Sequence, residues 1–204
     1  MIPGRTKGFT LLEILITLII LAVGMLGLAN LQSKIHVTEV ESYQRAHAVL
    51  LLQDMVDRIS SNRNALALAR YAGANTLGTN SPEQCAAGTL AAIPATNGQR
   101  LAATDRCQWS SALLGASEQR AASAGGGAAG GMIGARGCIV QIQAPNPAPG
   151  VCTAGIYRVT VAWQGLHKTV EPNDVCGAGQ YGEDGNRRAI SQELSIGTPT
   201  CTAP

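Results

Sequence analysis

Phe9 to Leu31 reads FTLLEILITLIILAVGMLGLANL, twenty-three residues carrying one charged side chain, Glu13. As a helix rising about 1.5 Å per residue it spans roughly 35 Å, enough to cross a hydrocarbon core of about 30 Å. Ahead of it stands MIPGRTKG, with Arg5 and Lys7 and no acid. The positive-inside bias therefore predicts a cytoplasmic N-terminus and places everything after the helix on the far side of the membrane.

An ordinary secretory signal has a shorter apolar core, about 7 to 15 residues, followed by a small-residue cleavage site. Here the candidate junction lies before the apolar run, at Gly8-Phe9, where Lys7-Gly8 closes the basic leader. A cut there leaves the hydrophobic helix as the new N-terminus. Glu13 needs its own account, because a carboxylate inside a membrane helix costs about 2.5 to 3.5 kcal/mol unless it is paired, protonated or interfacial. Interfacial position is one account. The other uses the junction: a cut creates an α-amine on Phe9, and the amine of one copy meets Glu13 of its neighbour in an apolar bundle. A buried charge satisfied only by a partner enforces assembly register.

The segment Lys7-Gly8-Phe9-Thr10-Leu11-Leu12-Glu13 resembles the class III signal of type IV prepilins. That resemblance implies cleavage after Gly8 by a prepilin peptidase, N-methylation of Phe9 and an assembly role for Glu13. It implies the type IV pilin fold, of α+β class, with a long N-terminal helix packed on a small antiparallel sheet. The implied partners are the peptidase, the inner-membrane pilus assembly platform, the major pilin and other minor pilins, with the lipid bilayer holding the helix before assembly. The implied location is the inner membrane, single-pass with the C-terminal domain in the periplasm, and then the pilus or cell surface. Further along, GMLGLANLQ, RAHAVLLLQDMVDRI and YRVTVAWQG are similar to minor pilins of the same superfamily. The chain then divides into a leader at 1–8, a transmembrane and polymerisation half-helix at 9–31, an amphipathic half-helix at 32–71 and a globular domain at 72–204.

All six cysteines, Cys85, Cys107, Cys138, Cys152, Cys176 and Cys201, fall in that last segment, on the side predicted to be oxidising. They read as a disulfide framework rather than a metal site, since no CxxC, CxC or paired Cys/His spacing occurs. Six cysteines permit 15 connectivities. Sequential pairing, Cys85 with Cys107, Cys138 with Cys152 and Cys176 with Cys201, closes three local loops and is the expected set. Each closure stabilises by roughly 3 kcal/mol in the chain-entropy view.

The formal net charge of +2 comes from 15 basic and 13 acidic side chains, so loss of Arg5 and Lys7 leaves the two signs equal. With no basic run and no basic stripe interleaved with aromatics, nucleic-acid binding has no support.

Past Leu31 no proline occurs until Pro82, and Gln32 to about Tyr71 suits a continuing helix. Val49, Leu52, Val56, Ile59 and Leu66 mark one stripe, widened by Leu51 and Met55. The expected result is a single helix of about sixty residues, roughly 90 Å long. Residues 72–136 are Ala-, Gly-, Ser- and Asn-rich and read as irregular, with a Gly-rich loop at 123–134 and a short helix near Trp109 to Gln119. Strand patterning begins at Cys138, where Val140 and Ile142 alternate with Gln141 and Gln143. It resumes with Tyr157, Val159, Val161 and Trp163 on one face, and Ile190, Leu194 and Ile196 supply a third inward face. These strands predict an antiparallel sheet packed on the second half of the helix.

No catalytic constellation is present. His36, His47 and His167 are isolated, and GxSxG, HExxH and phosphate-loop motifs are missing. Glu183 and Asp184 in GEDGN, with Asp174 nearby, lack EF-hand spacing and read as turn chemistry. Neither a cofactor nor a metal is expected. Three classes of function remain: a minor pilin, a pseudopilin of a type II secretion system, and an enzyme or binding protein using the helix only as an anchor. Glu13 counts against the anchor, which requires no carboxylate at that register.

Overall fold

The computed structural model describes residues 8–80, 85–116, 132–146, 148 and 150–197. Arg5, Lys7, residues 123–131 of the Gly-rich loop, the end of the helix expected to reach Gln119, and Cys201 lie outside them. The chain divides into two compact units, Met1–Ser42 and Tyr43–Pro204. One helix, α1 (Leu11–Ser61), supplies nearly all of the first unit that is described and opens the second.

In the first unit α1 is long and apolar enough to cross a membrane, and none of its most apolar stretch is buried within the chain. Leu11, Ile14, Leu18, Leu21 and Met25 are all exposed. In the second unit the same helix buries Gln44, Ala48, Leu51, Leu52, Met55 and Ile59, a spacing of three and four residues that keeps one face inward. The stripe is centred differently from the expected one. Ala48 and Met55 form its middle, whereas Val49, 37% exposed, lies at its margin and Leu66, 51% exposed, falls beyond the end of the helix. Both alternatives fit a helical period, and the small Ala48 supplies close contact that a hydrophobicity pattern undervalues.

The helix also ends ten residues earlier than expected, at Ser61. Asn62 leaves the helical path, with its side-chain amide donating to the Gly98 carbonyl at 2.9 Å. Asn64 then caps a new helix, α2 (Ala65–Tyr71), its side-chain oxygen accepting from the Leu66 N–H at 3.0 Å. Asn favours such caps over helix interiors because its short amide competes for backbone hydrogen bonds. Gly98 sits at φ +67°, and a Cβ there would come within 2.1 Å of the Asn62 side chain. Glycine thus satisfies both the left-handed backbone and the close approach.

Among its described residues, the stretch expected to be irregular apart from a short helix near Trp109 holds β1 (Gly73–Gly78), α3 (Ala87–Ala91) and α4 (Gln99–Leu113), the last taking in Trp109. There follow β2 (Ile133–Gln143), β3 (Gly155–Gln164) and β4 (Arg187–Ile196). The sheet is antiparallel throughout with order β1-β2-β3-β4. A long helix packed on a small antiparallel sheet, with two disulfides among the described residues, is the expected α+β architecture and is consistent with the type IV pilin fold.

Tyr157, Val159, Val161 and Trp163 of β3 all face the core, as their alternation predicted, joined by Leu194 and Ile196 and flanked by the partly buried Ile190. On β2 the phase is opposite to the expectation. Val140 and Ile142 are each 46% exposed, and Ala135 and Ile139 face inward instead. The cause is the ring of Trp109 on α4, which lies over β2: a Cβ on Gly137 would fall 2.3 Å from it. Position 137 must therefore be small, Ile139 fills the next inward position, and Val140 and Ile142 take the other face. Trp109 is fully buried and its indole N–H donates to the Leu51 carbonyl at 2.8 Å, tying α4 to α1.

The opposite face of β3 is also covered. The connection from β3 to β4 returns over it, and Cys176 and Tyr181 bury Ala162 in a second, smaller core. Arg187, 1% exposed, donates to the carbonyls of Asp174, Cys176 at 3.1 Å and Pro172 at 3.1 Å, which holds the connection down.

Candidate functional site

Gly8, Phe9 and Thr10 precede α1 in non-helical backbone, and all three are exposed, Phe9 to 81%. Helix formation begins immediately after them because Thr10 is an N-cap. Its hydroxyl oxygen accepts the Glu13 N–H at 3.3 Å, and its carbonyl accepts from Glu13 at 3.1 Å and Ile14 at 3.3 Å. Thr10 and Glu13 have the spacing of a capping box, in which a Thr at the cap and a Glu three residues on satisfy donors of the first turn. The pattern is readable in the sequence as T-x-x-E ahead of an apolar run.

Glu13 lies in the first turn of α1. A carboxylate there is favoured by the positive end of the helix dipole, so its position has a local benefit whichever partner it meets later. Its surroundings within the chain are open, as they are for Gly24 and Gly27, where an added Cβ would meet nothing within 4 Å. Those glycines are not required by packing inside this chain. Thr17 satisfies its hydroxyl by donating to the Ile14 carbonyl at 2.8 Å, which makes it compatible with an apolar setting.

Gly8, Phe9 and Glu13 thus fall within one short stretch at the head of an exposed apolar helix. The cysteines lie elsewhere, and two of the three expected pairs are corrected. Cys85 pairs with Cys107 as expected. Cys138 pairs with Cys176, across 38 residues, rather than with Cys152. Cys176 is therefore not joined to Cys201. The reason is the returning β3–β4 connection: Cys138 lies beside Thr160 in the sheet, and Cys176 is carried to that same place. Cys152 sits instead in the β2–β3 connection, next to the Asn146–Thr153 bridge, and is itself disulfide-bonded. Local loop closure was a poor guide because its entropic advantage grows only logarithmically with loop length.

A partly buried polar network, unannounced by any motif, braces the second unit. The Arg58 guanidinium donates to Asp54 at 3.0 Å, Asp105 at 2.9 Å and Gln108 at 2.7 Å. Burial opposes its charge, but the hydrogen bonds to Asp54 and Asp105 outweigh that and raise its pKa. The Tyr71 hydroxyl donates to the other Asp105 oxygen. Burial first, and then that hydrogen bond, push the Tyr71 phenol well above its ordinary range. Arg106 completes the junction by donating to the Tyr71 carbonyl at 2.7 Å. These groups hold α1, α2 and α4 together.

The remaining polar residues singled out from sequence have local roles. His36 pairs with Glu39 at 3.3 Å, both exposed, and His47 stacks on Tyr43 with ring centroids 6.2 Å apart. His167 is exposed in a loop, its carbonyl accepting from Arg188 at 2.6 Å. Asp184 accepts the Gly179 N–H at 2.8 Å, Asp174 accepts Thr160 and the Cys176 N–H, and Glu183 pairs with Lys168. This is the turn chemistry that GEDGN suggested.

The prokaryotic N-terminal methylation motif matches residues 4–29, which contain Gly8, Phe9, Thr10 and Glu13. With the fold, that match supports a type IV pilin-like or pseudopilin-like protein, a group that is generally structural rather than enzymatic. The motif implies processing by a prepilin peptidase and a pilus or pseudopilus assembly context, and the single apolar helix fits the membrane anchor typical of pilins. No curated protein and no solved structure matches the chain.

Proposed function

We propose that the chain is a minor pilin, similar to PilV, that joins or primes the type IV pilus and so supports pilus biogenesis, twitching motility and adhesion. The observation that carries this reading is the unburied apolar helix headed by Gly8-Phe9 and holding one acid, Glu13, within the methylation motif. In this reading prepilin peptidase cuts after Gly8 and Phe9 is N-methylated. The precursor sits in the inner membrane with its second unit in the periplasm. The helix then leaves lipid for contacts with the major pilin and other minor pilins on the assembly platform, where Glu13 meets the Phe9 amine of a neighbour and sets register. Minor-pilin text in the second half of α1 and in β3 favours the pilus over the pseudopilus of type II secretion.

Deletion of the chain, scored for both surface pili and enzyme secretion, separates the two machines. Loss of pili with normal secretion is expected. Loss of secretion with normal pili assigns the chain to the secretion pseudopilus instead.

A further inference from the structure

We propose that Thr10 is a positioning residue for cleavage at Gly8-Phe9: its cap fixes the start of α1 and keeps the scissile peptide out of the helix. This rests on the processing reading above. Two independent observations meet here. The methylation motif marks this stretch as a processing substrate, and the backbone of Gly8 to Thr10 lies outside the helix and is exposed.

Cleavage is a hydrolysis: water adds across the Gly8–Phe9 C–N bond, giving a Gly8 carboxylate and a Phe9 amine. The attacking water must reach the Gly8 carbonyl carbon from above the peptide plane. In a helix that carbonyl would point along the axis and accept an N–H four residues on, with the next turn of side chains closing the approach. Exposed, non-helical backbone leaves it open.

The start of α1 is contested locally. Glycine is about as good an N-cap as threonine, whereas alanine is much worse. If Thr10 loses its cap, the next good cap upstream is Gly8 itself. A helix starting there places Phe9 at its first position and folds the scissile bond into the first turn. The hydrogen bond from the Glu13 N–H to the Thr10 Oγ1, 3.3 Å, is what opposes that shift. Glu13 reinforces it through the helix dipole.

The test is the cleavage rate of the full-length chain in detergent micelles by prepilin peptidase, read by mass spectrometry. Thr10→Ala is expected to slow cleavage about three- to tenfold, and Thr10→Ser and Thr10→Asn to keep the wild-type rate, because both cap well. The double variant Thr10→Ala with Leu11→Pro is expected to recover to within about twofold, since proline at the first helical position pins the start without any hydroxyl. A Thr10→Ala chain cut at the wild-type rate overturns the proposal. So does slowing by Thr10→Asn equal to that of Thr10→Ala with no recovery in the double variant, which would mean that the peptidase reads the threonine side chain directly. A wild-type chain left uncut at Gly8-Phe9 overturns the processing reading, and the proposal with it.

Discussion

Two stretches of one helix obey opposite rules. Between Leu11 and Ser42 the side chains of α1 are almost all exposed, though most are apolar, while from Gln44 to Ile59 one face is buried against the unit that follows. The second stretch has its solvent-excluding partner within the chain and the first does not. An exposed apolar surface such as that from Ile14 to Leu31 marks a site of contact with membrane or protein. The contrast teaches that burial within the chain reports folding for the second unit alone. For the first unit, exposure leaves an apolar helix that fits the membrane anchor typical of pilins.

The contrast breaks most forcibly at Trp109. Trp109→Ala removes the ring packed over Gly137 and the indole bond to Leu51, and is expected to cost about 3 to 5 kcal/mol of second-unit stability. Denaturation of the detergent-solubilised chain measures this, and membrane insertion of α1 should be unchanged. Next in size is the Cys138–Cys176 bridge. Replacing both with serine is expected to cost about 2 to 4 kcal/mol, and nonreducing peptide mapping should recover this pair together with Cys85–Cys107.

Tyr71→Phe should be smaller, about 1 to 2 kcal/mol near neutral pH, because Asp105 loses one donor but keeps Arg58. The sign with pH follows from the raised phenol. Its native pKa lies above its unfolded value of about 10, so its contribution is full below pH ~10 and is lost as pH rises toward the native value. Tyr71→Phe should therefore flatten the alkaline fall in stability. The slope will not vanish, since burial raises Tyr157 and Tyr181 as well.

The smallest effect on folding belongs to the first unit. Leu18→Ala is expected to change second-unit stability by less than about 0.5 kcal/mol, since Leu18 packs on nothing there. Its incorporation into filaments should nonetheless fall, as should that of Glu13→Ala. Wild-type incorporation of Glu13→Ala would remove the register role assigned to the carboxylate.

How much could be read from sequence follows the same division. The first unit is legible because its signal is one-dimensional: an apolar run, one acid, and glycine before phenylalanine. Thr10 is equally legible as a cap, three residues ahead of Glu13. In the second unit the strand Tyr157 to Trp163 declared itself because large residues alternate over its whole length. Val140 and Ile142 misled because a short alternation gives a period without a phase, and the phase was set by Trp109, some thirty residues away in sequence. Only the end of helix α4, from Trp109, is legible; the part before it buries Ala102, Ala103 and a salt-bridged Asp105 rather than an aliphatic stripe. The partner of Cys138 depended on the path of the β3–β4 connection, which Arg187 fixes through backbone carbonyls that no motif encodes.

The central claim is that α1 begins life behind a leader and ends as a free, polymerising N-terminus. Mass spectrometry of the N-terminal peptide from the protein purified out of membranes and sheared pili tests it most directly. The expected result is a chain beginning at Phe9 with one added methyl group on its amine. A chain that still begins at Met1, or one cut after the apolar run, would contradict it.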